Sequence, residues 1–265
     1  MKNKVPAITL MSDFGLPDGY VAAMKGVIYT EASSTLVIDA THGILPQDIK
    51  AGSWVLNQYA RTYPPGTIHV AVVDPGVGSD RKAILAVIDE YYFLAPDNAL
   101  LTWVLESAKT VSLYAIHPEI HAPGEVSATF HGRDVFAYVA GLLASGKASP
   151  EDISSPVSAI VQGPWTIVTC KDYRLTGEIV HIDHFGNLIV NISKNHLVAS
   201  GWKSWRILVG DYTFEKLSAT YSGAPANTLI SLWGSSNKLE LAVTGGAHDY
   251  TGLEVGTSVV AEKTA

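Results

Sequence analysis

Apolar and polar positions alternate along the first half of the chain in two rhythms. Ala7-Ile8-Thr9-Leu10 is a short apolar run ending at Ser12-Asp13-Phe14-Gly15, as expected of a buried strand entering a turn. Val21, Met24, Val27 and Ile28 then recur at helical spacing, which predicts a helix capped by Asp18 and running to about Thr30. A second strand is expected at Leu36 to Asp39, a second helix from Gln47 to Tyr63, and a third strand from Thr67 to Val73. This order predicts a parallel sheet with helices on its faces. Ala83 to Ile88 and Tyr91 to Ala95 read as a hairpin joined by Asp89-Glu90, followed by a helix at Ala99 to Ser107 and a strand at Val111 to Ile116. Gly132 to Ser145 reads as helical through Val135, Val139 and Leu142.

Between Gly146 and Pro164 the rhythm stops, and Pro150, Pro156 and Pro164 stand among Ser and Ala, which reads as a linker. Beyond it come short alternating segments at Glu178 to Ile182, Leu188 to Ile192, Arg206 to Val209, Thr228 to Leu232, Leu239 to Val243 and Thr257 to Ala261. The fold class expected is α/β: an N-terminal parallel-sheet α/β domain over 1–160, then a smaller β-rich, barrel-like domain over 161–265.

Composition narrows the function. The 47% hydrophobic content over 265 residues supports a large core, and the net charge of −7, with no Lys/Arg run, argues against nucleic acid. No stretch of eighteen apolar residues is present, so no spanning helix is expected. Asp13 ends the apolar run from Val5 to Met11 with no small-residue cleavage site after it, so no signal peptide and a cytoplasmic location are expected. Cys170 lies in the run Thr166 to Cys170 and reads as a buried small hydrophobe.

Three segments carry candidate chemistry. Asp13 and Asp74 follow the first and third strands, so both carboxylates are expected at the sheet rim where ligands bind. Pro75-Gly76 turns the chain, Gly78 allows close backbone approach to a ligand, and Arg81 can fold back on Asp74. The Gly-x-Gly here lacks a Lys-Ser/Thr ending and leads into a strand, so a phosphate loop is rejected. His131, in Phe130-His131-Gly132-Arg133-Asp134, sits at a strand-to-helix edge, whereas His117, His121 and His196 read as loop or surface residues and His69 as a strand side chain. Asp183-His184-Phe185-Gly186-Asn187 is a turn that also suits a small-molecule grip: Asp183 for an ammonium, Asn187 for an amide-like edge, Phe185 for stacking. From the residues alone a metal-dependent phosphoesterase using Asp13, Asp74 and His131 stays open, although no His-x-His or Asp-x-His pair supports it.

Taken together, these segments resemble the S-adenosylmethionine hydrolases, or S-adenosylmethionine hydroxide adenosyltransferases, which share a fold with fluorinase and chlorinase. The likeness also rests on Thr41-His42-Gly43-Ile44-Leu45-Pro46-Gln47-Asp48-Ile49 and Ala95 to Thr102, and it runs nearly end to end. It implies a catalytic set of Asp74, Arg81 and His131, with Asp13 on the ribose hydroxyls. Asp183 and Ser235 would hold the methionine end, and Phe185, Asn187 and Tyr221 would lie around the adenine. It further implies hydrolysis of S-adenosylmethionine to adenosine and methionine, association with the (R)-sulfonium epimer, no metal or other cofactor, and a homotrimer with the site at the subunit interface. The halogenases replace the catalytic positions and carry an extra loop after the strand matching Ala83 to Ile88. Here Asp89-Glu90 closes that hairpin directly, which favours the hydrolases over a halide-dependent 5′-halo-5′-deoxyadenosine synthase. Leu232-Trp233-Gly234-Ser235-Ser236-Asn237 departs from the family pattern, with Gly234 where Asn is usual.

Overall fold

A computed structural model describes residues 6–245 and 252–264; Lys2, Lys4 and Val5 lie outside the described residues. The chain forms two compact units, Met1–Gly163 and Pro164–Ala265. In the first, β1 (Ile8–Ser12) and β3 (Ile68–Val72) are buried at every position, as apolar runs covered on both faces must be. Helix α1 (Tyr20–Glu31) leads to β2 (Val37–Thr41), and α2 (Ile49–Tyr59) continues as a tight turn over Ala60–Thr62. The hairpin β4 (Ala83–Ile88) and β5 (Tyr91–Pro96) precedes α3 (Thr102–Glu106) and β6 (Val111–Ile116). Alternation divides the side chains between two cores. Ile8, Leu10, Val70 and Val72 pack with Met24, Ile28, Val139 and Ala140 on one face. Met11, Ala71, Val73 and Phe93 pack with Leu56 and Val104 on the other.

The sheet order is β2-β1-β3-β5-β4-β6, with β7 (Ser154–Pro156) beyond β6 at the edge. In that order the first four strands are parallel; the pairs β5–β4, β4–β6 and β6–β7 are each antiparallel, because the hairpin turns the chain back at Asp89, so β6 points the same way as β5. Asp89, at φ 54°, anchors that turn by accepting from the Lys109 and Thr110 amides. Asp18 does not cap α1: Gly19 holds the N-cap position, and no side chain closes it. Asp48 does cap α2, accepting from the Ala51 amide at 2.9 Å.

The expected linker is structured instead. Its Ser149-Pro150 pair starts a helical turn, α5 (Pro150–Ile153), closed by a capping box with Asp152, and β7 (Ser154–Pro156) then pairs with β6. The prolines mark a helix start and an edge strand, both of which tolerate a missing N–H. Before it, the helix expected over Gly132 to Ser145 comes in two parts. A wide π-helical turn spans Gly132–Ala137, and α4 (Tyr138–Ser145) follows. Gly141 lets α4 sit against α1, since a Cβ there would lie 2.6 Å from the Glu31 Cβ.

The second unit is an antiparallel sheet of β8 (Thr169–Lys171), β9 (Arg174–Ile182), β10 (Leu188–Ser193), β11 (Trp205–Val209), β12 (Tyr212–Phe214), β13 (Leu229–Trp233), β14 (Lys238–Val243) and β15 (Ser258–Lys263). Its order is β12-β11-β15-β9-β10-β14-β13, with β8 beside β9. The Ser218 amide, just past β12, donates to the Ser231 carbonyl of β13 at 2.7 Å, so the sheet curls nearly into a barrel. Cys170 is exposed rather than buried, because β8 is a three-residue edge strand with every position in solvent. His196, read as a loop or surface residue, sits in the first turn of α6 (Lys194–Ser200), where its ring closes a capping box with Ser193. Among the described residues no helix is long and apolar enough to cross a membrane.

One buried histidine makes stability pH-dependent. His69 is fully buried on β3, bonded to the Thr9 hydroxyl at 2.8 Å and ringed by Tyr59, Tyr63, Tyr91 and Phe93. Burial pushes it from 6.5 down to about 4. An unfolded histidine takes up a proton below about pH 6.5 that the folded one refuses, so stability is lost as pH falls from there to about 4. The expected loss through this group is about 3 kcal/mol. Urea unfolding across that range should show the decline, and His69→Phe should flatten it; an unchanged decline in the variant rejects the assignment.

Candidate active site

The carboxyl rim of the parallel strands assembles the first group of side chains. Ser12 lies opposite Val72 in the parallel register, so Asp13 and Asp74 leave neighbouring strands at the same edge. Asp13 accepts from the Gln47 amide at 2.8 Å, which fixes the loop before α2 in a left-handed conformation at Gln47 (φ 68°). The Asp74 loop then carries the chain from β3 past the end of β5 to β4, and the Asp97 amide ties to the Lys82 carbonyl at 2.9 Å.

Within that loop Arg81 folds back on Asp74. Its Nε donates to Asp74 Oδ1 at 2.9 Å and its Nη2 to Oδ2, a two-pronged pairing of a planar cation and a planar anion. The same Nη2 reaches His131 Nδ1 at 2.9 Å. A guanidinium can only donate, so His131 Nδ1 accepts, and the proton of the neutral ring sits on Nε2. Burial first, and then the Arg81 charge, hold His131 below its usual 6.5, while Asp74 and Asp134 pull partly the other way. Both ion-pair side chains are nearly covered, Arg81 at 9% and Asp74 at 4% exposure. Arg81 and His131 also line a cleft of about 450 Å³ walled by Ala83, Ile116, Val126 and Val135.

Two features hold His131 in place. Phe14, Tyr20 and Phe130 stack edge to face with centroids 5.2 to 5.8 Å apart, joining the Asp13 loop, α1 and the residue before His131. Gly78, at φ +79°, faces the Ala128 carbonyl, where a Cβ would overlap it. The absent side chain thus makes room for the chain's own backbone at Ala128.

The second group lies in the second unit. Asp183, Phe185, Asn187 and Tyr221 line one cleft with Val243 and Gly245. Asp183 Oδ1 accepts from the Phe185 and Asn187 amides, and Oδ2 from Asn187 Nδ2 at 2.8 Å. The carboxylate is therefore held within its own turn, with its acceptor capacity only partly used. Phe185 stands 78% exposed. Ser235 is not part of this cleft; it is exposed in the turn between β13 and β14.

A family model described as the SAM hydroxide adenosyltransferase N-terminal domain matches residues 8–154, and the corresponding C-terminal domain matches 177–260. The chain belongs to the SAM hydroxide adenosyltransferase family. A member named (R)-S-adenosyl-L-methionine hydrolase, from Salinispora arenicola, is 37% identical over 91% of this chain and 91% of its own. A fluorinase from Actinoplanes sp. is more distant, at 26% over 75% and 76%. A crystal structure of an uncharacterized conserved protein from Thermotoga maritima superposes with a TM-score of 0.86 at 29% identity, covering 97% of this chain and all of that one.

Several neighbours of these adenosyltransferase-family clefts had no sequence signal of their own. Ser12, fully buried, links through its hydroxyl to His42 Nδ1 at 2.7 Å, and His42 Nε2 to Asp39 at 3.1 Å, under the Asp13 loop. Asp134 is held by Arg133 and the Ser127 amide; these keep its carboxyl low although burial alone pushes it up. Glu240 accepts from the Tyr221 hydroxyl. Ser12–His42, Ser127–Asp134 and Tyr221–Glu240 join separate segments, whereas Asp39–His42 and Arg133–Asp134 lie three and one residues apart. Among the described residues no group of three or more His, Cys, Asp or Glu is arranged to hold a metal.

Proposed function

We propose that this chain hydrolyses S-adenosylmethionine to adenosine and methionine by in-line attack of water on the ribose 5′ carbon. The observation that carries the reading is the bond from Arg81 Nη2 to His131 Nδ1, with Asp74 behind it. A new O–C5′ bond forms as the C5′–S bond breaks, the electron pair stays on sulfur, and the proton lost by the water passes to solvent. The sulfonium leaves as a neutral thioether, so no general acid is required. What remains is to supply hydroxide character near neutral pH. With its lone pair turned to Arg81, His131 presents Nε2–H as a donor, and the guanidinium adds positive charge; both favour the anionic form of a nearby water. Asp74 has both oxygens on Arg81, which supports an orienting role. Where bound substrate displaces water from the cleft, hydroxide and sulfonium attract more strongly. This reading needs no metal, because Arg81 supplies the charge.

In the same reading Asp13 holds the ribose hydroxyls, and Asp183, Phe185, Asn187 and Tyr221 grip the remainder of the substrate. Ser235 is expected at the methionine end. The name (R)-S-adenosyl-L-methionine hydrolase on the Salinispora relative supports preference for the (R) epimer. The reading includes a cytoplasmic location and a homotrimer whose site is completed at the subunit interface; light scattering should give three chain masses. A hydrolase is favoured over a halogenase by the direct Asp89–Glu90 turn between β4 and β5 and by the greater identity to the hydrolases.

The test is incubation with each sulfonium epimer, with EDTA and then with added chloride, followed by chromatography. Adenosine and methionine are expected in all cases, faster from the (R) epimer. Loss of activity on chelation, restored by zinc or magnesium, rejects the metal-free mechanism. A 5′-chloro product rejects hydrolysis as the reaction.

A further inference from the structure

Glu240 stands behind the second cleft and is 6% exposed on β14. It reaches that position because residue 234, across the β13–β14 turn, has no side chain: a Cβ on Gly234 would overlap the Glu240 carboxylate. The carboxylate accepts the hydroxyl proton of Tyr221, whose ring lies in the cleft wall and is 48% exposed. A phenol has one proton to give. Once that proton points at Glu240, the oxygen can only accept from anything entering the cleft. Beside it, Asp183 is also acceptor-only, and the Asn187 amide turns its NH₂ towards Asp183. Burial raises Glu240, the Tyr221 hydroxyl lowers it, and Asp183 raises it again.

We propose that Glu240 is a positioning residue that sets Tyr221 as a hydrogen-bond acceptor, so that this cleft selects a ligand group bearing N–H donors and disfavours a carbonyl. The inference rests on the substrate reading above, in which two N–H donors are available: the exocyclic amine of the base and the ammonium of the amino acid. The shared chemistry is an amine facing two acceptors beside the exposed Phe185 ring. Gly234 is the permissive element, since any side chain there displaces the carboxylate that fixes the phenol.

Calorimetric titration of the full chain tests this with two ligand pairs: adenosine against inosine, which has a carbonyl in place of the amine, and methionine against its desamino analogue. For one pair, the wild type is expected to prefer the amine-bearing partner by about tenfold or more, the size of one unpaired buried group. The pair that shows the preference identifies the source of the amine. Tyr221→Phe and Glu240→Met should bring that ratio close to one, and Gly234→Ala should move it the same way. Glu240→Gln, which keeps an acceptor for the phenol, should retain most of it. If Glu240→Met does not fold, the half-exposed Tyr221→Phe decides alone. Unchanged ratios in Tyr221→Phe, with hydrolysis intact in the wild type, overturn this inference and leave the reaction standing. A wild type that forms adenosine but prefers neither amine overturns this inference; one that forms no adenosine from S-adenosylmethionine overturns the substrate reading as well.

Discussion

Turnover of S-adenosylmethionine by His131→Ala is expected to fall about a hundredfold or more, the range for a group acting directly on the reacting water. The loss should appear in kcat as much as in kcat/KM, because His131 touches the nucleophile in this reading and not the substrate's remote ends. The geometry adds a pH signature. Protonating Nδ1 would set an N–H against the Arg81 guanidinium and break the 2.9 Å contact, so the neutral ring is the working form. Since His131 is held below its usual 6.5, the acid limb of the wild-type profile should begin only below that pH. That limb should vanish from the residual activity of the variant. Turnover like that of the wild type in His131→Ala removes the residue from the mechanism.

Arg81→Met should cost both activity and stability. Without the cation, Asp74 is a carboxylate at 4% exposure whose two oxygens lose their charged donors. Breaking a covered ion pair from one side typically costs about 3–5 kcal/mol, and losing an electrostatic donor about a hundred- to a thousandfold in kcat. The double variant Asp74→Leu/Arg81→Met separates the two effects. It should recover much of the stability, because no lone charge remains, while activity stays lost. Denaturant unfolding and steady-state kinetics on the single and double variants check this together. A single variant as stable as the wild type sinks the claim that the pair is closed to solvent.

The strands and the Asp74–Arg81 pairing were legible because they are local. A run such as Ile68 to Val73 is readable as a two-face-buried strand, and seven residues of turn can bring an arginine back on an aspartate. Proline was misread between Gly146 and Pro164, since its composition does not tell a linker from a helix start beside an edge strand. Asp18 looked like a cap, but the helix begins one residue too late for it to serve. The Glu240–Gly234 relation was invisible because it depends on which residues of β13 and β14 face each other. The same holds for Ser12, the last residue of β1, and His42, which follows the end of β2. The approach of Gly78 to the Ala128 backbone was not legible either, since it joins segments fifty residues apart.

The wide turn over Gly132–Ala137 has a consequence for how the chain tolerates length changes. A π turn accommodates one residue more than the α-helical turn it replaces, and the residue on its leading edge is His131. Deleting one residue there would let the segment relax to ordinary helix, but each helical step rotates the chain by about 100° and advances it ~1.5 Å. With α4 locked against α1 at Gly141, that screw motion would fall on the free end, swinging the imidazole off the guanidinium. This stretch is therefore a metering device. Sequences that keep Arg81 and His131 in contact must conserve its residue count even where they vary its side chains.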